Sequence, residues 1–410
     1  MHRNGRCFVI LDYGASLSHT HHGRLIQSYL RLFEELAIDH AVFLPIGSKV
    51  HLKGQVAKIR KCLLPSHHPA SLNWRSPTTI ISSIWRRWLS LVSKQKLSDS
   101  RLLNLTRTLL VRSTWIHIKS LFDEYKYVHF IFPTACPASF WFATELLRMK
   151  KNTAECYLRL TNTAESRGPL SRHFHLKEEI GLIISEHTDK VHFAFETRQY
   201  AETFLTYLSS IEITPPPPVP LMTRQHSSYS SKDRPQQINV GFLGTTQDHK
   251  GIETLAFLVK ESLTRSSGCL HWKIQISNSS TAHYFETKLH EFVVSEQLEI
   301  YKGFMHELDF DQFMSSLNVL ILPYNPNSYR FSASALLYRA LDHLIPCICF
   351  AGSAFATEVS NFDLGDVVST REEMVQTISR LNSSWHCSKA KNIESYNLLR
   401  LQANKDFLGL

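Results

Sequence analysis

A chain of 410 residues is too long for one ordinary hydrophobic core and predicts two domains. Hydrophobic residues make up 43% and charged residues 20%, which excludes a disordered or fibrous chain and fits a globular one. The net charge of +9 points to an anionic partner, a nucleotide or a membrane surface; without a dense basic stripe or a recognition motif, nucleic acid is not expected.

The opening "MHRNGRCFVILDYG" has an apolar run of only five residues, so no signal peptide is expected and the location expected is cytoplasmic. In the first half "RCFVILD", "HAVFLP", "YVHFIFP", "AECYLRL" and "KVHFAF" read as strands, with helical patterns between most of them. Residues 47 to 100 are long, basic and irregular. Within them residues 78–96 combine Ile, Leu, Trp85 and Trp88 with Arg86, Arg87, Lys94 and Lys96. That composition suits a helix lying in an anionic membrane interface, which would make the protein peripheral on the inner face of a membrane. The stretch "IFPTACPASFWFA" is apolar, but Pro133 and Pro137 make it a poor membrane span. Eight cysteines are scattered without metal spacing, so neither a metal nor a disulfide framework is expected. Cys347 and Cys349 would point the same way from a buried strand.

Residues 214–237 hold a run of prolines and a Ser-rich polar tail, which cannot build a core and read as a linker. They separate an N-terminal domain, 1–213, from a C-terminal domain, 238–387, with a last helical segment at 388–410. In the second domain "INVGFLG", "LHWKIQIS", "LEIYKG", "VLILPY" and "PCICFA" read as strands, each of the first four followed by a helical pattern. Short apolar runs alternating with helices predict an open, doubly wound parallel sheet in each half, an α/β fold. Two such domains joined by a linker would face one another across a cleft.

Candidate ligand-binding residues cluster at predicted strand ends. Gly244 closes the strand "INVGFLG", and Lys250 and Gly251 open the next helix. Free backbone N–H groups at a helix start favour an anion, and a lysine adds a full positive charge. Arg330 precedes the small-residue run from Ser332 to Ser334 at another helix start, where a ligand can approach the backbone and an arginine can grip phosphate. Cations on two loops of one sheet edge suggest a diphosphate. On the first domain Gly14, His21 and His22 follow the first strand, and Arg159 lies near a strand end. They are candidates for the acceptor or donor-sugar side. The "HTHH" run lacks a carboxylate or second cluster that would make it a metal site.

The ordered set "FLG…KGIETL", "LEIYKGFM", "ELDFDQFMSSLNVLILPY", "SALLYRALDHLIPCICF" and "LGDVV" resembles the donor domain of the retaining glycosyltransferases of family four, which have the GT-B fold. The resemblance is good over residues 238–370 and weaker over the first domain. It implies two Rossmann-like domains facing a cleft, with the last helix returning to the first domain. Lys250 matches the family's phosphate-binding lysine at the right distance from Gly244, and "YRFSAS" resembles a subgroup with Y-R-x-x-S in place of a glycine-rich opening. Pro346 matches the proline that opens the next strand. Several positions depart from the pattern. Thr245 replaces the usual arginine, Gln247 is also neutral, and the E-x7-E glutamates fall on Phe331 and Arg339. Arg339 would restore the missing positive charge if its long side chain leaned back toward the diphosphate.

What the resemblance implies is a retaining glycosyltransferase that moves a sugar from a nucleotide-sugar donor to a glycan, a lipid-linked or a protein acceptor, without a metal or other cofactor. The alternative is an inactive GT-B subunit that binds or partners other components of a glycosylation complex.

Overall fold

The computed structural model describes residues 3–13, 21–46, 48, 59–63, 84–85, 87–88, 100–161, 175–204, 237–244, 248–266 and 268–410. Gly14, Thr245, Gln247, the linker apart from Gln237, and most of 78–96 lie outside the described residues. The chain divides into two compact units, residues 1–221 with 404–410, and residues 222–403.

The first unit is built on six strands: β1 (Arg3–Leu11), β2 (His40–Pro45), β3 (Ile59–Leu63), β4 (Tyr125–Phe132), β5 (Ala154–Leu160) and β6 (Val191–Phe195). They form one sheet in the order β3-β2-β1-β4-β5-β6, every pairing parallel. Parallel strands need crossovers, and helices supply them at His21–Glu35, Ser100–Ile118, Pro137–Lys150 and Leu176–His187. The first of these shows why it folds where it does. Leu25, Ile26, Tyr29, Leu30, Leu32 and Phe33 recur at helical spacing and are buried. Phe33 stacks on Phe8 of β1 with ring centroids 5.1 Å apart. β2 is buried along its whole length, as a strand covered on both faces must be.

The second unit repeats this logic with β7 (Ile238–Gly244), β8 (Leu270–Ile276), β9 (Leu298–Lys302), β10 (Val319–Leu322), β11 (Cys347–Phe350) and β12 (Gly365–Val368). The order is β12-β11-β10-β7-β8-β9, again all parallel. Alternate side chains feed two cores. Val240 and Phe242 of β7, Val319 and Ile321 of β10, and Ile348 of β11 join the helices Ile252–Arg265, Ser279–Lys288 and Arg371–Ser379. Leu243, Leu320, Leu322, Cys347 and Cys349 join Glu307–Ser315, Ala335–Asp342 and Ala354–Asn361. Both cysteines of the C-x-C thus face one core, as the strand period requires.

The order turns back on itself between β7 and β10. Loops leaving the carboxyl ends of these neighbours run to helices on opposite faces of the sheet, which is where open α/β sheets hold ligands. The last helix, Ser383–Phe407, puts Ile393 and Tyr396 into the second core. Its final residues belong to the first unit, where Phe407 meets Tyr157 edge-on at 5.4 Å and Arg6 Nη1 donates to the Gly409 carbonyl (3.3 Å). Among the described residues no helix is long and apolar enough to cross a membrane.

Two strands escape the sequence reading, and both are edges. β3 reads "IRKCL" and is mostly exposed, so it carries no apolar run. β12 is four residues long and opens on Gly365, where a Cβ would stand 1.8 Å from the Cys347 carbonyl oxygen. Gly365→Ala is therefore expected to push β12 off β11 and to lower stability by about 1 to 3 kcal/mol, read from urea unfolding midpoints.

Candidate functional site

In the second unit the segment after β7 enters a single 3-10 turn, Asp248–Lys250, before the helix Ile252–Arg265. Gly251 caps that helix with φ 71° and ψ 26°, a left-handed conformation that glycine adopts without penalty. Conformation is not the only constraint there. A Cβ on Gly251 would lie 1.8 Å from the carbonyl oxygen of Pro323, just past the end of β10. The Asn325 N–H donates to the His249 carbonyl at 3.0 Å. The two switch-point loops are thus bound backbone to backbone, and only glycine allows it.

This contact decides where Lys250 goes. Its ammonium sits 4.1 Å from the ring centroid of Tyr324 and 5.0 Å from that of Tyr329. The two rings stack on each other at 4.9 Å, and Phe355 closes against both edge-on, at 6.0 and 5.5 Å. Ring faces attract a cation but do not replace its hydration. Burial accordingly pulls the Lys250 pKa down to about 8. Among the described residues the ammonium has neither a carboxylate partner nor a hydrogen-bond acceptor. A desolvated cation of this kind, beside the N–H groups of a helix start, is a receptor for an anion.

Arg330 directly follows Tyr329 in the chain. It is exposed, lies over the Phe331 ring at 5.2 Å, and has no ion pair among the described residues. Ser332 is half-buried on the stretch leading to the next helix. Ser334 is buried and caps the helix Ala335–Asp342, its Oγ accepting from the Leu337 N–H at 3.2 Å. Its part is to fix the helix start rather than to face a ligand. Gly244 is the half-buried last residue of β7, against the Phe242 ring.

Arg339 corrects the expectation. Its guanidinium is buried, ion-paired with Asp311 of the helix Glu307–Ser315, and stacked over Phe310 at 5.3 Å. His343 approaches the same carboxylate at 3.6 Å and is bonded through Nδ1 to Ser315 Oγ at 3.2 Å. The arginine therefore joins two helices and does not restore the charge missing at Thr245. Sequence reasoning missed Asp311, Tyr324 and Tyr329. An aromatic just beyond a buried strand was the available signal for Tyr324.

The candidates of the first domain belong to the other unit. His21 and His22 lie in the first turn of the helix His21–Glu35. Arg159 is buried on β5 rather than on the surface, and its carbonyl accepts from the Ala135 N–H at 2.8 Å. Its strand neighbour Glu155 collects His129, His192 and Lys190. Hydrogen bonds from these groups, that of His129 foremost, hold the Glu155 carboxyl well below the usual range. His129 is thereby engaged within its own domain.

No protein-family model and no curated protein matches this chain in sequence. Solved structures do resemble it in shape. WaaG, a glycosyltransferase of lipopolysaccharide biosynthesis, is similar with a TM-score of 0.51 at 12% identity, over 99% of this chain and 100% of its own. A UDP-forming trehalose-phosphate synthase from Burkholderia xenovorans gives 0.58 at 9% identity, over 99% and 98%. A trehalose-6-phosphate structure from E. coli, bound with UDP-2-fluoro glucose, gives 0.55 at 10%, over 98% of each chain. At such identities the likeness is one of fold, and the fold is that of the GT-B glycosyltransferases.

Two outcomes follow from the cations. Lys250 is charged up to pH 10.5 when unfolded but only to about pH 8 when folded, so between these values the unfolded state holds more protons. Stability therefore rises with pH across that window, while below pH 8 the fold carries the full cost of the buried charge. Lys250→Met is expected to be more stable than wild type below pH 8, with the gap narrowing from 8 to 10.5, in urea unfolding at a series of pH values. Arg339→Glu sets a second carboxylate against Asp311 and is expected to lower stability by about 2 kcal/mol or more, seen as a lower melting temperature.

Proposed function

We propose that this protein is a glycosyltransferase whose nucleotide-sugar donor places its diphosphate on the turn that ends in Lys250 and Gly251. The carrying observation is Lys250 itself: a cation held against two tyrosines at a helix start, without a protein counter-ion among the described residues. A diphosphate would return to the ammonium the partners that burial removed. Arg330, exposed next to Tyr329 and without an ion pair among the described residues, would be the second cationic contact. Gly244 and Gly251 bound the turn, and the backbone N–H groups at the helix start after Gly251 would face the anion. The neighbour bound with UDP-2-fluoro glucose supports a nucleotide sugar as the ligand class.

Catalysis on this reading is positioning of donor and acceptor, together with stabilisation of charge on the departing diphosphate by Lys250, Arg330 and backbone N–H groups. It calls for no metal. The acceptor is a glycan, a lipid-linked or a protein group, and the expected stereochemistry is retention. Gly14, His21, His22 and Arg159 remain proposed for the acceptor or donor-sugar side.

A second reading has its own support. Phe331 and Arg339 stand where the resembled family carries glutamates, and Arg339 is committed to Asp311. A GT-B subunit that binds a nucleotide but does not turn it over would tolerate both.

Calorimetric titration with a panel of nucleoside diphosphates tests the site. Lys250→Ala and Arg330→Ala are each expected to weaken binding by roughly ten- to a hundredfold, the loss of one charge-assisted hydrogen bond. Absence of affinity in wild type for every member of the panel would overturn the site. Hydrolysis or transfer of a nucleotide sugar by the same preparation separates the enzyme from the inert subunit.

A further inference from the structure

Both rings that receive Lys250 are held from several sides. Tyr324 directly follows Pro323 and is buried, and its hydroxyl hydrogen-bonds with Ser334, the residue that caps the helix Ala335–Asp342. Tyr329 ends the 3-10 turn Pro326–Tyr329, which Asn325 fixes by accepting from the Asn327 N–H at 3.0 Å. The buried Phe355 ring closes edge-on against the pair. On the lysine's own segment the His249 ring meets that of Tyr329 at 5.8 Å. The aromatic surface is thus fixed, and it takes from the ammonium the freedom and much of the water that a lysine on an open surface keeps.

Little else holds the proton on this amine. The phenols of Tyr324 and Tyr329, His249, and Arg330 next along the chain are the titratable groups around it. Burial pushes the Tyr324 phenol well above its ordinary value, so that ring stays neutral. Glu253, in the first turn of the helix Ile252–Arg265, is exposed. Glu358, on the helix of Phe355, is taken by the hydroxyls of Tyr338 and Tyr396.

We infer, on the reading of this turn as a diphosphate site, that Tyr324 and Tyr329 are positioning residues that act on the donor through Lys250. Their stacked faces hold the ammonium in place and strip part of its water, which makes protonation of this one amine the condition for gripping the diphosphate. With the Lys250 pKa at about 8, the free site loses its charge above that value. Each further pH unit then costs about tenfold in affinity, because binding has to bring a proton back to the amine. The inference adds a proton-controlled donor affinity to the site and assigns its setting to the rings.

Calorimetric titration of the full chain with uridine diphosphate tests this. Wild type is expected to bind roughly eightfold more weakly at about pH 9 than at about pH 7.5, and Lys250→Ala to show no such fall. Tyr329→Ala opens the amine to water. It is expected to weaken binding roughly three- to tenfold at about pH 7.5 and to flatten the profile up to about pH 9, while Tyr329→Phe keeps the wild-type profile. A merely structural role for the ring would weaken binding by one factor at every pH and leave the profile where it was. Melting temperatures are measured alongside, and the wild-type fall and its loss in Lys250→Ala test the proton control even where Tyr329→Ala does not fold. A flat wild-type profile, or a Tyr329→Ala profile that falls as wild type does, would overturn the inference and leave the diphosphate site standing. No binding by wild type at any pH would overturn that site, and the inference with it.

Discussion

The approach of Gly251 to the Pro323 carbonyl oxygen is the contact on which the site depends. It holds the helix start after β7 against the strand end of β10, where the strand order reverses. The hydrogen bond between Asn325 and His249 adds a second tie across the same gap. With the loops clamped this closely, Lys250 has nowhere to go but onto the faces of Tyr324 and Tyr329. A side chain on residue 251 would part the loops, and the lysine would relax into water.

Two cations of this domain illustrate opposite solutions to burial. Arg339 is buried and neutralised within the protein by Asp311. Lys250 is half-buried with no carboxylate partner among the described residues, and the consequence is a pKa lowered to about 8. Removing an ion from water costs several kcal/mol unless something replaces the lost partners, so structural cations are usually paired. An unpaired one, at the place in an open sheet where ligands bind, is more informative than a count of basic residues. Glu155, by contrast, is paired within the protein, with His129, His192 and Lys190.

The first unit distributes its excess charge differently. Arg107 and Arg148 are tied to Glu145, and Arg148 also to Glu186, on neighbouring helices. Arg112 and Lys119 stand out among exposed aliphatic side chains instead. Net charge is therefore not a uniform property of this surface.

Periodicity alone determined ten of the twelve strands among the described residues, the parallel α/β class and the Lys-Gly turn, because buried strands must be apolar and a left-handed helix cap favours glycine. The two strands it could not show, β3 and β12, are edges with little apolar surface to hide. Partners of cations were likewise beyond it. A sequence places Arg339 on a helix that starts at the site, but whether the side chain turns to the ligand or to Asp311 depends on the helix packed beside it. Trp85 and Trp88 read as membrane anchors until the neighbouring helix is present to bury one and bond the other. Local rules act within a few residues and are legible in order along the chain. Which charge meets which partner is decided across separations of 28 residues for Arg339 and Asp311 and 18 for Trp88 and Thr106, and only the folded arrangement brings those atoms together.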